Sequence, residues 1–264
     1  MALPTPPGPT PVPARVRALV AGRPVTPVWR NELGGLTFHD AAAARFVKVS
    51  PPHGPDLTAE HRRLEWLRRV APDLAVPRAV TAGSDAEGSW LVTDALPGRS
   101  AVDPHWRGRP EVAGRAIGRA LRRLHDRLPV TGCPFDRTVP ARLAFVPDAS
   151  RQDPRRWHAE LRRLSPEQAI DQVHRPPPVD RLVVCHGDPC APNTLLADDG
   201  EPSGQVDFGQ LGVADRWADL AVATWSMDWN FGPGHQDAVL AGYRIAADPG
   251  RTAYYRLLWD LSVD

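Results

Sequence analysis

The chain has 264 residues, 24% of them charged and 42% hydrophobic, with a formal net charge of +1. That length can bury one large core or two smaller ones, and the near-neutral balance gives no electrostatic reason for a nucleic-acid partner. No run approaches the roughly 18 apolar residues of a membrane span, and Cys133, Cys185 and Cys190 form neither a disulfide framework nor a paired zinc motif, so the expected setting is a reducing cytoplasm with no membrane attachment.

In chain order, residues 1–13 (MALPTPPGPTPVP) are dense in proline and predict an extended, disordered tail. A short helix is expected over Ala14–Ala21, then strand, turn and strand across Thr26–Val49, with Asn31–Gly35 as the turn and Phe46–Val49 as the last strand. Leu57–Val70 carries Leu64, Leu67 and Val70 at helical spacing, and Ser89–Leu96 reads as a buried strand closed by Pro97-Gly98. Beyond it, helices are expected over Glu111–Leu128 and Asp153–Leu164. Short strands follow at 182–184, 194–196 and 205–206, then helices over Ala214–Asp228, Gly234–Ala246 and Thr252–Leu261. A strand-rich first part, 14–96, and a helix-rich second part, 97–264, predict an α+β fold in two lobes.

The chemistry concentrates in Val184–Gln210. His186-Gly187-Asp188 is followed five residues later by Asn193, and Asp207-Phe208-Gly209 comes after one hairpin whose turn is Asp198-Asp199-Gly200. This is the layout of a phosphoryl-transfer loop: Asp188 for the attacking hydroxyl, Asn193 and Asp207 as oxygen ligands for Mg²⁺. Asp-Phe-Gly alone is a weak signal, since turns often hold Asp and Gly; the joint spacing is the strong one. Lys48 is the only lysine in the chain. A compact ammonium on a strand of the first lobe suits the α- and β-phosphates of ATP, paired with a helix glutamate, and arginine's planar fork is no substitute there. Glu60 and Glu65 are both available, and Glu60, near the start of its helix, is preferred. Gly34-Gly35 reads either as a loop over the phosphates or as a plain hairpin turn. Trp225 and Trp229, at i and i+4, share one helix face and read either as core packing or as a substrate wall.

At CHGDPCAPN (Cys185–Asn193), VDFGQLGVADRWADLAVAT (Val206–Thr224) and AYYRLLWD (Ala253–Asp260) the sequence resembles the aminoglycoside phosphotransferases, small-molecule kinases with a protein-kinase-like fold. Leu124-His125, Cys133–Asp136 and EHRRLEWL (Glu60–Leu67) extend the likeness over most of the chain beyond the tail. The resemblance implies a small β-rich N-lobe that binds nucleotide over 14–96 and a larger helical C-lobe over 97–264 for catalysis and acceptor binding. It implies ATP and Mg²⁺ as cofactors, an aminoglycoside as partner, and a monomer or dimer. Asp188 would accept the acceptor's proton and Asn193 and Asp207 would hold the metal. Lys48 and Glu60 would serve the ATP phosphates, main-chain groups of Thr93 and Ala95 would take the adenine, and His186 would support the loop.

The sequence also departs from the family. Gln210 stands where the family has arginine after Asp-x-Gly, only Asp260 remains of a C-terminal Asp-Glu pair, and the insert region Ser150–Leu161 is more basic than acidic. A polycation in a cleft usually meets several carboxylates. That argues against a kanamycin or neomycin 3′ type, and Asp188-Pro189-Cys190 with the shortened acidic end resembles the streptomycin 3″ branch, which implies an acceptor whose guanidinium groups stack on aromatic faces such as Trp225 and Trp229 and pair with Asp260 or Asp228. The alternatives are a kinase for another small-molecule alcohol on the same fold, or a nucleotide-binding pseudokinase.

Overall fold

A computed structural model describes residues 10–262; the expected tail lies outside them except for its last four residues. In chain order the elements are α1 (Ala14–Leu19), β1 (Thr26–Arg30), β2 (Leu36–Asp40), β3 (Arg45–Ser50), α2 (Leu57–Val70), β4 (Ala79–Asp85), β5 (Gly88–Asp94), β6 (Arg99–Ser100), α3 (Pro104–Arg107), α4 (Pro110–Arg127), α5 (Val139–Leu143), α6 (Pro166–Val173), β7 (Leu182–Cys185), β8 (Thr194–Leu196), β9 (Pro202–Gln205), β10 (Gly212–Asp215), α7 (Trp217–Phe231), α8 (Gln236–Tyr243) and α9 (Pro249–Leu261). No helix among the described residues is long and apolar enough to cross a membrane.

The chain forms two compact units. The first runs to Gly98 and also includes Ser203–Gly209; the rest makes the second.

In the first unit five strands form one sheet, in the order β1-β2-β3-β5-β4, with every neighbouring pair antiparallel. Val16 and Val20 of α1 and its flank pack on Phe38, Val47 and Val92 from β2, β3 and β5. Helix α2 starts where the Asp56 carboxylate accepts from the Thr58 N–H, which satisfies one of the donors a helix leaves open at its N-terminus. Its buried residues Glu60, Leu64 and Leu67 fall at i, i+4 and i+7, so one face carries both the core contact and a carboxylate. The late segment Ser203–Gly209 is tied in by Gln205 N–H donating to Ala75 C=O (3.1 Å) and Ser203 Oγ donating to Pro97 C=O (2.8 Å).

In the second unit α7 is the axis. Every residue from Trp217 to Met227 is buried, the mark of a helix enclosed on all sides. Helices α4 and α8 approach closely through glycines: a Cβ on Gly118 would lie 2.1 Å from the Val239 carbonyl oxygen. Strand β7 pairs antiparallel with β10, and β6 with β8.

Three expectations are corrected. The helix placed over Asp153–Leu164 is instead a run of short 3₁₀ turns at Pro154–Arg156 and Ala159–Leu161, and the regular helix, α6, begins later behind a Ser165/Gln168 capping box. Trp157 is buried and His158 is bonded to a residue 102 positions away, so tertiary contacts override the local pattern. Helix α7 begins at Trp217, not Ala214, because Gly212–Asp215 is committed to β10. Strand β4 was missed, its Ala-, Gly- and Ser-containing sequence having little strand propensity.

Candidate active site

In the first unit, β3 presents Lys48. Its ammonium donates to both carboxylate oxygens of Glu60 (2.9 Å each) and to Asp207 Oδ1 (3.1 Å). Burial works against the ammonium, but the charges of Asp207 and Glu60 outweigh it and raise the Lys48 pKa, so the side chain stays charged. Burial pushes the Glu60 carboxyl up while Lys48 pulls against it, and the Phe208 N–H also donates to it. Glu65, the rejected candidate, lies on the exposed face with Arg68 at 3.3 Å. Asp207 holds a left-handed backbone (φ 71), unusual outside glycine, and its side chain remains 46% exposed.

Two nucleotide-side expectations are not matched by available donors. The Ala95 N–H already donates to Ala44 C=O at 2.8 Å, which extends the strand ladder by one rung, and Thr93 is a buried ladder residue opposite Phe46. The Gly34 N–H donates to Asn31 C=O and the Gly35 N–H to Asn31 Oδ1. The plain hairpin turn therefore accounts for both glycines, and neither N–H is left for a phosphate.

In the second unit, β7 delivers the chain to His186-Gly187-Asp188. Asn193 closes this loop, its Nδ2 donating to the Asp188 carbonyl (3.0 Å) and to Asp188 Oδ2 (3.1 Å). The loop is held from beneath by Asp219 of α7. Its carboxylate accepts from the His186 N–H (2.6 Å), the Gly187 N–H (3.0 Å) and His125 Nε2 (2.9 Å), while His125 Nδ1 meets Tyr243 Oη at 2.9 Å. Asp219 is fully buried, and burial alone would raise its pKa. The hydrogen bond from His125 and the charges of His125 and His186 reverse that and hold it low. His125, Cys185 and Asp219 bring three metal-ligand types together. Both His125 nitrogens and the Asp219 carboxylate are spent within the network, which reads as a scaffold, not a metal centre. Further along α7, Ser226 Oγ accepts from the Ala191 N–H (2.8 Å), so one helix fixes both ends of the Asp188 loop.

The loop is also packed against residue 210. A Cβ on Gly187, whose φ is 88°, would sit 1.9 Å from the Gln210 carbonyl oxygen. The Gln210 side chain accepts a hydrogen bond from the guanidinium of Arg137, which enters from the segment running beside β10.

The acceptor-side candidates form one cluster in the second unit. The Asp260 carboxylate accepts from the His158 N–H and contacts His158 Nδ1, both at 2.6 Å, and is only 6% exposed. The imidazole stacks on Trp229 (4.7 Å between centroids, 13° between planes) and tilts against Trp225 (4.0 Å, 45°). Trp225 is buried, with the Arg256 guanidinium over its ring, so it is the floor of the cluster and not an exposed wall; Trp229 is partly exposed. Asp228 accepts from Gln236 Nε2 through one oxygen, while its Oδ1 is buried and finds no partner among the described residues; burial raises its pKa.

Sequence reasoning missed Asp219, Tyr243, Ser226, Arg137 and His158. Only Asp219 left a signal: an acid directly before a run as apolar as Leu220–Trp225, in the same helix, must be buried, and a buried carboxylate needs donors.

An Asp-Asn loop braced by a buried aspartate, and a strand lysine paired with a helix glutamate and a second aspartate, are the working parts of a phosphoryl-transfer enzyme. The chain belongs to the phosphotransferase enzyme family designated APH, whose model matches residues 36–256. It is 36% identical over 235 residues to an aminoglycoside 3'-phosphotransferase of Streptomyces fradiae, covering 81% of this chain and 84% of the relative. It is 34% identical over 249 residues to the streptomycin 3''-kinase of Streptomyces griseus, covering 86% and 88%. Its structure resembles that of the aminoglycoside phosphotransferase APH(3'')-Id of Streptomyces rimosus in complex with ADP and streptomycin, with a TM-score of 0.75, 29% identity and coverage of 94% and 96%. The expected α+β kinase-like fold, with a sheet-rich and a helical unit, is the fold observed.

Proposed function

We propose that the chain transfers the γ-phosphoryl group of ATP to a hydroxyl of an aminoglycoside in the cytoplasm, and so confers resistance, with a streptomycin-type 3″ acceptor preferred over the 3′ kanamycin and neomycin type. The observation that carries the reading is the Asp188 loop: its carboxylate is oriented by Asn193, and its backbone is fixed through the amides of 186 and 187 to the buried Asp219.

The acceptor oxygen attacks the γ-phosphorus and forms a P–O bond; the bond to the β,γ-bridging oxygen breaks, and ADP leaves with that electron pair. Asp188 takes the acceptor's proton. Because the phosphoryl transition state asks for little covalent help, the protein's contribution is position and charge. Lys48 serves the α- and β-phosphates and Glu60 keeps its ammonium in place. Asn193 and Asp207 are the residues that would hold magnesium. The donor set suits that ion, since a carboxylate and an amide oxygen are hard ligands and the Asp207 side chain is nearly half open. Bound magnesium neutralises charge on the phosphate oxygens. The Arg137 guanidinium, carried on Gln210, returns a cation to the neighbourhood of the Asp188 loop. The two units are proposed as a nucleotide-binding and an acceptor-binding lobe.

The test is ADP release coupled to a reporter, with Mg-ATP and streptomycin, kanamycin, neomycin and a set of non-antibiotic alcohols. Turnover of an aminoglycoside, streptomycin foremost, that disappears in Asp188→Ala is expected. Turnover confined to another alcohol, or ATP binding without turnover of any acceptor, overturns the reading.

A further inference from the structure

Resting on that function, we propose that His158 is a specificity-determining residue: backed by Asp260 and seated on Trp225 and Trp229, it presents Nε2 to the acceptor in place of a free carboxylate and selects a guanidinium-bearing aminoglycoside over a polyammonium one.

Asp260 is the carboxylate that the sequence suggests for an acceptor's cations, yet both its oxygens are occupied by His158 and it is almost fully buried. Its charge reaches a ligand only through the imidazole. The contact of Nδ1 with a carboxylate fixes that nitrogen as the donor, so in the neutral ring Nε2 carries the lone pair. Nε2 has no hydrogen-bond partner among the described residues, and the side chain is 27% exposed. Glu160, two residues beyond His158, is 46% exposed, but its charge is met by Arg256 at 3.5 Å, which also donates to Thr224 Oγ1 and Gln236 Oε1. The cluster therefore offers one polarised acceptor edge beside a partly exposed indole, and little uncompensated negative charge. A polyammonium ligand needs several countercharges. A planar guanidinium needs one acceptor and an aromatic face, and is less costly to dehydrate than ammonium.

The cluster also lies where an acceptor must lie. Ser226, which holds the Ala191 N–H three residues after Asp188, is at i and i+3 with Trp229 on α7. Such residues are neighbours on the helix surface, within one turn of about 5.4 Å.

Two variants separate the roles. His158→Phe keeps the stacked ring, removes both nitrogens and frees Asp260. Asp260→Asn keeps an acceptor for His158 but removes the charge behind the imidazole. Steady-state kinetics with streptomycin, kanamycin and neomycin, intrinsic tryptophan fluorescence on titration with each, and KM for ATP as a check on the fold are measured for all three proteins. His158→Phe is expected to raise KM for streptomycin about 10-fold and to raise the kanamycin-to-streptomycin ratio of kcat/KM at least as much. Asp260→Asn should raise KM for streptomycin several-fold with no gain on kanamycin, and KM for ATP should stay within about twofold in both. Aminoglycoside turnover with an unchanged selectivity ratio in His158→Phe overturns the inference and leaves the function standing. So does an equal loss on all three acceptors in Asp260→Asn, which would make Asp260 a direct ligand. If the wild type neither turns over nor shows a fluorescence response to any aminoglycoside, both fall. Should His158→Phe fail to fold, the Asp260→Asn selectivity decides alone.

Discussion

Replacing Lys48 in two ways separates its charge from its shape. The ammonium satisfies both oxygens of Glu60, whose side chain is only 4% exposed, and reaches Asp207 at 3.1 Å. Lys48→Met leaves that carboxylate buried without its cation, and breaking a buried pair from one side costs about 3–5 kcal/mol. Glu60 can relieve part of this by binding a proton, since burial already raises its pKa. A loss near 3 kcal/mol is expected, equivalent to a fall in Tm of about 6–12 °C. The pH dependence has a definite sign. A carboxyl whose folded pKa is raised contributes stability below its unfolded value and loses it as pH rises through the folded one. The deficit of Lys48→Met should therefore be larger at pH 8 than at pH 5. Lys48→Arg keeps the charge, so its Tm should move by no more than about 3 °C. Its fork is larger than an ammonium and cannot serve Glu60, Asp207 and the phosphates from one point. Losing one preorganised charge contact of this kind removes about 2.7–4 kcal/mol of transition-state stabilisation, or 10²–10³ in kcat/KM for ATP. Thermal denaturation at the two pH values and ADP-release kinetics measure both effects. Lys48→Arg with kcat/KM for ATP unchanged, or Lys48→Met as stable as the wild type, would refute the argument.

Asp219→Asn keeps one acceptor oxygen but removes the charge and sets an NH2 donor against N–H groups that need an acceptor, and should cost about 3 kcal/mol, since hydrogen bonds to charged groups contribute about 1.5–3 kcal/mol each. Because the Asp219 pKa is lowered in the fold, its contribution is present above the ordinary carboxylate value and lost as pH falls through the lowered one. The variant's acid-unfolding curve should be shallower than the wild type's. Gly187→Ala forces a Cβ to 1.9 Å from the Gln210 carbonyl oxygen at positive φ. The loop must shift by the order of 1 Å, and kcat should fall about 100-fold, with KM for ATP nearly constant; full activity in the purified variant would count against the placement of this loop. Burial pushes the Cys185 thiol well up. An aromatic disulfide reagent at pH 8 should label Cys185 only after denaturation, and labelling in the native protein would contradict the packing.

What could be read from the sequence was local. The spacing of Asp188, Asn193 and Asp207 is set within one loop and one hairpin, so it survives in a linear string. Glu60 is preferred to Glu65 for its place near the start of the helix; the structure supplies the stronger reason, that the face carrying Leu64 and Leu67 includes position 60 while Glu65 turns outward to Arg68. The strand lysine was visible through composition alone. What the string concealed was whether a group is already in use. Nothing local says that the Ala95 N–H closes a rung with Ala44, or that Asn31 consumes the N–H of Gly35.

The same concealment governs the anchors. Asp219 is 94 residues from His125, and Asp260 is 102 from His158, so neither pair leaves a periodic trace. Yet these pairs decide what the legible residues can do. Asp188 is held in place in large part because α7 turns a buried carboxylate toward the two amides before it. Asp260 looks like a bare acidic ligand until His158 covers it, and the helix expected over Asp153–Leu164 fails for the same reason, since the chain there is bent to deliver that imidazole. In this chain the reaction centre is written in short-range spacing, and the selectivity of its acceptor side is written in which long-range partners its acids have already taken.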